Sequence, residues 1–86
     1  AAQALLLSVR PPALTAELLF LLGVVEAARG ELGAADDAFV RASYLDPDHV
    51  DAVRHRRLLA LRRGDGALAA DLDGRIARLS ARREAN

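Results

Sequence analysis

The chain has no cysteine, tryptophan, methionine or lysine, and aromatic residues make up only 3% of its 86 residues. Without cysteine there is no disulfide, no thiolate metal site and no cysteine nucleophile. Since it has one Tyr and two Phe, its core has to be built from Leu, Val, Ile and Ala. This composition favours close packing of helices over an aromatic-lined ligand pocket.

The chain also lacks a hydrophobic run long enough to span a bilayer. Its first residues show neither the basic start nor the small-residue cleavage site of a signal peptide. We therefore expect a cytoplasmic protein without membrane insertion. A chain of this length forms one small domain at most, and it buries only about 60–65% of its unfolded surface. The start at Ala rather than Met indicates a piece of something longer.

The net charge is zero, but the charges are unevenly distributed. Residues 1–49 carry 3 arginines against 7 acids, and residues 50–86 carry 9 arginines against 5 acids. The two halves therefore have opposite charge. Either these charges form an ordinary solvated surface, or an acidic end and a basic end help to orient a partner or a second copy.

Helix breakers divide the chain into five apolar segments with helical periodicity, and no stretch alternates as a strand would. We predict helices at residues 2–9, 15–29, 33–45, 48–63 and 67–83. Thr15 is expected to cap the second of these helices, and Asp65 the fifth. The fourth is expected to open at Asp48 or Pro47. Gly30 and Gly64 lie where a helix end favours positive φ. Because the connections are short, neighbouring helices should be antiparallel, giving an all-α fold of stacked helical hairpins.

The two long hairpins repeat with a period of 34 residues. This shift aligns Arg29-Gly30-Glu31 with Arg63-Gly64-Asp65, Leu19 with Val53, Ala35 with Ala69, Ala42 with Ile76, and Leu45 with Leu79. Such a period resembles the tetratricopeptide (TPR) repeat of right-handed helical solenoids. The resemblance implies about two and a half repeats: 1–12 as the remnant of a preceding repeat, 16–49 as an intact repeat, and 50–86 as a divergent repeat with a capping helix.

The intact repeat carries the TPR pattern at Leu19, Leu22-Gly23, Ala35, Phe39, Ala42 and Pro47. We expect Gly23 and Ala35 to let two helices approach, Phe39 to fill the gap beyond them, and Pro47 to stop the second helix. The second repeat departs from this pattern. There Arg56-Arg57 replace Leu-Gly, Asp73 replaces Phe, and Gly74 is expected to interrupt the last helix. One apolar stripe remains on that helix: Leu68, Leu72, Ile76 and Leu79.

A narrower resemblance lies in "LFLLGVVEAARGELGAADDAFVRASYLDPDHVDA" and the later "LLALRRGDGALAADL". These stretches resemble the C-terminal TPR extension of CheR-type chemoreceptor glutamate methyltransferases from bacteria. The resemblance implies an upstream domain that transfers a methyl group from S-adenosylmethionine, whereas this segment binds no cofactor and has no catalytic residue. Its partner would then be a protein of a chemoreceptor pathway. The rival hypothesis is a self-association or scaffold element of an unrelated bacterial TPR protein.

TPR proteins bind partners mainly on a concave face formed by the first helix of each repeat. Carried over to this chain, that face consists of Glu17, Phe20, Val24, Ala27, Asp51, Arg54, Leu58, Leu61 and Arg62. An apolar floor with arginine at one side suits an amphipathic helix or an apolar peptide that carries a carboxylate, or another copy of the chain. The alternative for Phe20 and Val24 is that they pack on a neighbouring helix.

Other chemistry finds little support in the sequence. Asp51 and His55 lie one helical turn apart and could share a metal ion, but no third ligand has suitable spacing. Arginines could hold nucleic acid, yet there is no interleaved aromatic residue, and Asp71 and Asp73 lie among the arginines. We therefore expect no metal and no nucleic acid.

Overall fold

The computed structural model describes residues 12–85, which form four helices. They are α1 (Pro12–Ala28), α2 (Leu32–Leu45), α3 (Val50–Arg62) and α4 (Gly66–Ala85). α1 packs on α2 and α3 on α4 as two hairpins, and α3 also contacts both helices of the first hairpin. The predicted all-α fold of stacked helical hairpins is confirmed. The predicted helix at 2–9, and with it nearly all of the predicted repeat remnant 1–12, lies outside the described residues.

The first hairpin closes where Gly23 of α1 meets Phe39 of α2. A Cβ placed on Gly23 would lie 2.9 Å or less from three atoms of the Phe39 ring. Phe39 and Ala35 are both fully buried. The missing side chain at position 23 therefore makes room for the aromatic ring. The close approach of α1 and α2 predicted at Gly23 is confirmed, but Phe39 lies directly against Gly23 and not in a gap beyond it.

The second hairpin has a charged contact at the equivalent place. The 34-residue shift takes Gly23 to Arg57 and Phe39 to Asp73, and these two side chains form an ion pair between α3 and α4. Val50 and Val53 of α3 also pack against the predicted apolar stripe of the last helix. The stripe is confirmed, since Leu72 and Leu79 are buried and Leu68 and Ile76 are partly buried. The second hairpin therefore combines an aliphatic core with a charged contact.

Gly74 does not interrupt the last helix, so the predicted break there is wrong. α4 runs without a break from Gly66 to Ala85. A single glycine costs an exposed helix only about 1 kcal/mol, which the packing of Leu72 and Leu79 against α3 offsets.

The helix ends follow the predicted chemistry at four positions. Gly30 and Gly64 adopt φ of 81° and 76° just after α1 and α3, as expected for residues that end a helix. The Asp65 carboxylate accepts the Leu68 amide at 3.1 Å and caps α4. α2 ends one residue before Asp46, which precedes Pro47 and adopts extended backbone, because the ring of a proline disfavours helical backbone at the residue before it.

Two predicted caps are wrong. Thr15 lies inside α1, which begins at Pro12, since proline is favoured in the first helical position where no amide partner is required. α3 begins at Val50 rather than at position 48. The Asp46 carboxylate accepts the Asp48 amide at 3.2 Å, and this local turn delays the helix until His49 can cap it.

The His49 side chain ties the start of α3 to α1. Its Nδ1 accepts a hydrogen bond from the Ala52 amide at 3.2 Å. The ring hydrogen therefore lies on Nε2, which donates to Glu17 Oε2 at 3.1 Å. The ring also lies 4.9 Å from that of Phe20. One side chain therefore caps α3 and joins the two hairpins.

We expect His49→Ala to lower the free energy of unfolding by about 1–2 kcal/mol, the usual cost of a lost N-cap. His49→Asn should retain more than half of that energy, because asparagine caps as well as any residue. Urea denaturation of the three proteins measures both values. An asparagine variant as unstable as the alanine variant would show that the contacts to α1, and not the cap, carry the contribution of His49.

Among residues 12–85, two ion pairs join the acidic half of the chain to the basic half. They are Asp36–Arg56 at 2.9 Å and Asp48–Arg82 at 3.3 Å. Both side chains of the Asp36–Arg56 pair are less exposed than those of the other pair, so solvent screens it less. Part of the charge asymmetry is therefore used within the molecule.

Candidate partner-binding groove

An open groove lies between α1 and α3 with α2 beneath it. Its volume is about 370 Å³, within the range of pockets that hold small ligands or side chains. We refer to it as the α1–α3 groove and define it by its lining: Ala27 of α1, Phe39 of α2, and His55, Leu58, Leu59, Leu61 and Arg62 of α3.

Helical spacing positions the α3 wall of this groove. α3 buries Ala52, Val53 and Leu59, and the opposite side of the helix faces outward. Leu58 and Leu61 are on that outward side, 52% and 49% exposed. Two large aliphatic side chains are thus open to solvent beside an apolar floor, an arrangement typical of contact sites for other proteins.

The floor of the groove is an aromatic cluster. The ring centroids of Phe39 and His55 are 5.6 Å apart, and Phe20 lies beside both, 5.8 Å from Phe39 and 4.9 Å from His55. Phe20 contacts His55 edge-on, a favoured geometry for aromatic pairs. Phe20 therefore supports the groove from below and is itself partly buried.

The polar groups of the groove are at its α3 side. His55 Nδ1 donates to the Asp51 carbonyl at 2.9 Å, which leaves Nε2 of the neutral ring as an acceptor. Arg62 is exposed in the last turn of α3, and no ion pair found among residues 12–85 includes it. The guanidinium of Arg62 can therefore receive a carboxylate from outside.

The nine residues predicted for the partner face fall into three groups. Four of them line the groove: Ala27, Leu58, Leu61 and Arg62. Phe20 and Val24 are partly buried and pack against the core cluster of Ala35, Phe39 and Leu59 below it. Three lie outside the lining, each in a polar contact: Glu17 with His49, and Asp51 with Arg54 at 3.5 Å.

Three residues of the lining were not among those predicted: Phe39, His55 and Leu59. A sequence signal exists for His55, since positions 51, 55, 58 and 62 follow the i, i+4, i+7, i+11 spacing of one helix face. Phe39 and Leu59 are buried, and they line the groove only because α1 and α3 leave a gap above them. No local pattern reports such a gap.

The groove offers no metal site of the usual kind. Within residues 12–85, no three His, Asp or Glu side chains lie close enough to hold an ion. The pair considered from the sequence, Asp51 and His55, is linked through the Asp51 backbone carbonyl. None of the helices described, α1 to α4, is both long and apolar enough to cross a membrane.

No known family model and no solved structure matches the chain. Over 72 residues, which are 84% of the chain, it is 36% identical to the "Probable biofilm formation methyltransferase WspC" of Pseudomonas aeruginosa. The chain spans about 17% of the length of that relative. It is therefore similar, over most of its length, to one segment of a protein described as a methyltransferase.

Proposed function

We propose that this chain is a protein-interaction module whose α1–α3 groove receives an amphipathic helix or an apolar peptide carrying a carboxylate. The observation that carries the proposal is the exposure of Leu58 and Leu61 beside an apolar floor. Covering these side chains contributes about 25 cal/mol for each Å² of apolar surface removed from water. Arg62 at the same wall provides a charge for the carboxylate, and a guanidinium can bind one with two parallel hydrogen bonds.

We further propose that the module is a TPR segment. The positions related by the 34-residue shift support this: Ala35 and Ala69 are both buried, and Leu19 and Val53 both belong to the packed side of their helices. Gly30 and Gly64, which the same shift aligns, both have positive φ after the first helix of a hairpin. The ion pair Arg57–Asp73 then replaces the glycine–aromatic contact in the divergent repeat.

The experiment that tests the groove is a selection of helical peptides from a display library on the folded chain. We expect the selected peptides to carry apolar residues at i, i+3, i+4 and i+7 with an acidic residue beside them. Leu58→Glu should weaken their binding at least tenfold. Leucine and glutamate have similar helix propensity, and position 58 is half exposed, so stability should change by less than about 0.5 kcal/mol.

The matched control for this experiment is Tyr44→Glu. Tyr44 is 85% exposed and lies on α2, outside the groove lining. The control introduces the same charge on another helix and should leave peptide affinity unchanged in a fluorescence anisotropy titration. Peptides that bind Leu58→Glu as tightly as the parent chain would place the binding surface elsewhere and remove the groove from the proposal.

We also propose that the module is the C-terminal regulatory or targeting region of a cytoplasmic receptor methyltransferase of the CheR type. The similarity to a segment of a protein described as a methyltransferase supports this. In that arrangement another domain binds S-adenosylmethionine and transfers the methyl group. This segment recruits or positions that domain by binding a chemoreceptor-pathway protein. The coding sequence upstream of Ala1 tests it: if no methyltransferase domain is encoded there, this part fails and the groove proposal stands.

A further inference from the structure

Apart from the groove, the fold has a smaller cavity that is lined by three helices. Its volume is about 210 Å³, and it opens to solvent. We name it the arginine cavity and define it by its lining: Val40, Ser43 and Tyr44 of α2, Arg56 of α3 and Arg75 of α4. It shares no lining residue with the α1–α3 groove.

The polar side chains of this cavity are all hydrogen-bond donors, and none of them is a carboxylate. Arg56 Nε donates to Asp36 Oδ1 at 2.9 Å, which leaves the terminal nitrogens of that guanidinium available. No ion pair found among residues 12–85 includes Arg75, which is partly buried. The cavity therefore has an excess of positive charge and of donors, which is the chemistry of an anion site.

Ser43 provides an independent indication of a ligand. It is 7% exposed and is the only buried polar residue between positions 14 and 84. The side-chain hydrogen bonds found among residues 12–85 do not include its hydroxyl. Burial takes water away from a hydroxyl, and this costs free energy unless another group forms a hydrogen bond with it. Because Ser43 lines the cavity, an anion bound there can accept that hydrogen bond.

We propose that the arginine cavity binds a phosphate group carried by a phosphorylated side chain of a protein partner. A guanidinium presents its donors in a planar fork that matches phosphate oxygens. A carboxylate has two oxygens and a single charge, whereas a phosphorylated side chain has three acceptor oxygens and a charge of about −1.5 to −2 at pH 7. Phosphate therefore makes fuller use of Arg56, Arg75 and Ser43, which come from three different helices.

The size of the cavity favours a phosphorylated side chain over a free small molecule. Sites for small molecules usually have volumes of about 300–1,000 Å³ and bury most of the ligand. The arginine cavity, at about 210 Å³, holds the phosphate and the atoms next to it, and the rest of the ligand lies on the surface outside. There Tyr44 and Val40, 85% and 39% exposed, offer apolar contacts to the residues that flank the phosphorylated one.

This inference does not rest on the proposed function, because the arginine cavity and the α1–α3 groove have separate linings. It gives a role to Arg75, which the ion pairs found among residues 12–85 do not use. It also accounts for a serine at a buried position of α2, where an apolar residue would pack without loss of a hydrogen bond.

Fluorescence anisotropy on the full 86-residue chain tests the ligand. The probe is a short labelled peptide of alanine and leucine with phosphoserine at its centre and both ends blocked, and two matched peptides carry serine or glutamate instead. We expect the phosphorylated peptide to bind at least tenfold more tightly than either of them. Equal binding of a matched peptide, or no binding of the phosphorylated one at millimolar concentration, would overturn the proposal.

Inorganic phosphate is the competitor in the same assay. We expect it to displace the phosphorylated peptide only at concentrations at least tenfold above the Kd of the peptide, because the free ion makes no contact with Tyr44 and Val40. Displacement at concentrations equal to that Kd would assign the cavity to the free ion and overturn the choice of a phosphorylated side chain.

Arg75→Gln and Arg78→Gln are the matched variants. Each removes one positive charge from α4, but Arg78 is exposed and lies outside the cavity lining. We expect Arg75→Gln to weaken binding of the phosphorylated peptide at least tenfold, and Arg78→Gln less than twofold. Equal losses would indicate attraction to the overall charge of α4 instead of a defined site, and would overturn the proposal.

Ser43→Ala tests the buried hydroxyl. Alanine is the best helix former and loses no buried hydrogen bond, so the melting temperature should not fall. The affinity for the phosphorylated peptide should fall at least threefold. An unchanged affinity would overturn the proposal, because the hydroxyl would then belong to the packing of α2 and not to an anion site.

Discussion

Replacement of Gly23 by leucine is expected to lower the free energy of unfolding by about 1–3 kcal/mol, the usual cost of overpacking a core. The reason is the Phe39 ring, three of whose atoms lie within 2.9 Å of any Cβ at position 23. Phe39 is fully buried and cannot swing into solvent, so α1 and α2 have to separate. Urea denaturation followed by far-UV circular dichroism measures the loss.

Gly33→Leu is the matched control. Gly33 lies in α2, and a Cβ there would meet no atom within 4 Å. This substitution also replaces a helical glycine by leucine, but the new side chain meets no neighbouring atom. Since leucine is the better helix former, stability should stay the same or rise by up to about 1 kcal/mol. The difference between the two changes in stability isolates the contact between Gly23 and Phe39.

A double-mutant cycle identifies the partner of Gly23. Gly23→Ala should cost less in a Phe39→Leu background than in the parent chain, because the smaller side chain leaves room for a methyl group. Additive effects of the two substitutions, or a Gly23→Leu variant as stable as the parent, would mean that the register of the first hairpin is different from the one described.

The first hairpin could be predicted from the sequence because its chemistry is local. A glycine and a phenylalanine at fixed positions on two adjacent antiparallel helices meet wherever the connection is short. The positive φ of Gly30 and Gly64 follows from the same short connections. These features depend on neighbours close in the chain, and a periodic pattern reports such neighbours well.

Helix starts were less predictable, because several residues compete to accept the same amides. At the entry to α3 the sequence offers Asp46, Asp48 and His49 within four positions. The Asp46 carboxylate takes the Asp48 amide, and His49 is left to cap the helix. His49 is also held in place by Glu17, 32 residues away, and no local pattern contains that contact.

The second hairpin shows how a departure from a pattern can be compensated within the fold. Arg57 and Asp73 each look unfavourable in the sequence when considered alone. They occupy the positions equivalent to Gly23 and Phe39, and they pair with each other. Two departures at positions that meet across a hairpin therefore indicate one exchanged contact, not a lost one. The 34-residue alignment contains this information once both positions are compared together.

Phe20 is the residue whose role the structure changes most. The sequence favours it as part of an exposed partner face, with packing on a neighbouring helix as the alternative. In the structure its ring lies 4.9 Å from both His49 and His55 and 5.8 Å from Phe39. It is one of two buried or half-buried aromatic side chains that join the first hairpin to α3. Its burial is produced by residues about thirty positions away, which helical periodicity does not report.

Phe20→Glu is therefore expected to lower the free energy of unfolding by about 2–4 kcal/mol, close to the cost of removing a core aromatic residue. Three ring contacts are lost, each worth about 0.5–1.5 kcal/mol beyond the area that it buries. A carboxylate would also be placed one helical turn from that of Glu17, which is held by His49. A domain of this size is stable by only about 0.05–0.15 kcal/mol for each residue, so this loss is a substantial part of the total and should lower the melting temperature by at least about 8 °C.

Leu58→Glu separates this effect from a change in the groove surface. Both substitutions put glutamate at the α1–α3 groove, but Leu58 is 52% exposed whereas Phe20 lies beneath the lining and packs against two core clusters. We expect Leu58→Glu to keep its melting temperature and lose peptide binding, and Phe20→Glu to lose helicity on mild heating. If Phe20→Glu melted at the temperature of the parent chain and lost only binding, the ring would be a contact residue for the partner, and the two hairpins would be held together by Ala52 and Leu59 with their aliphatic neighbours.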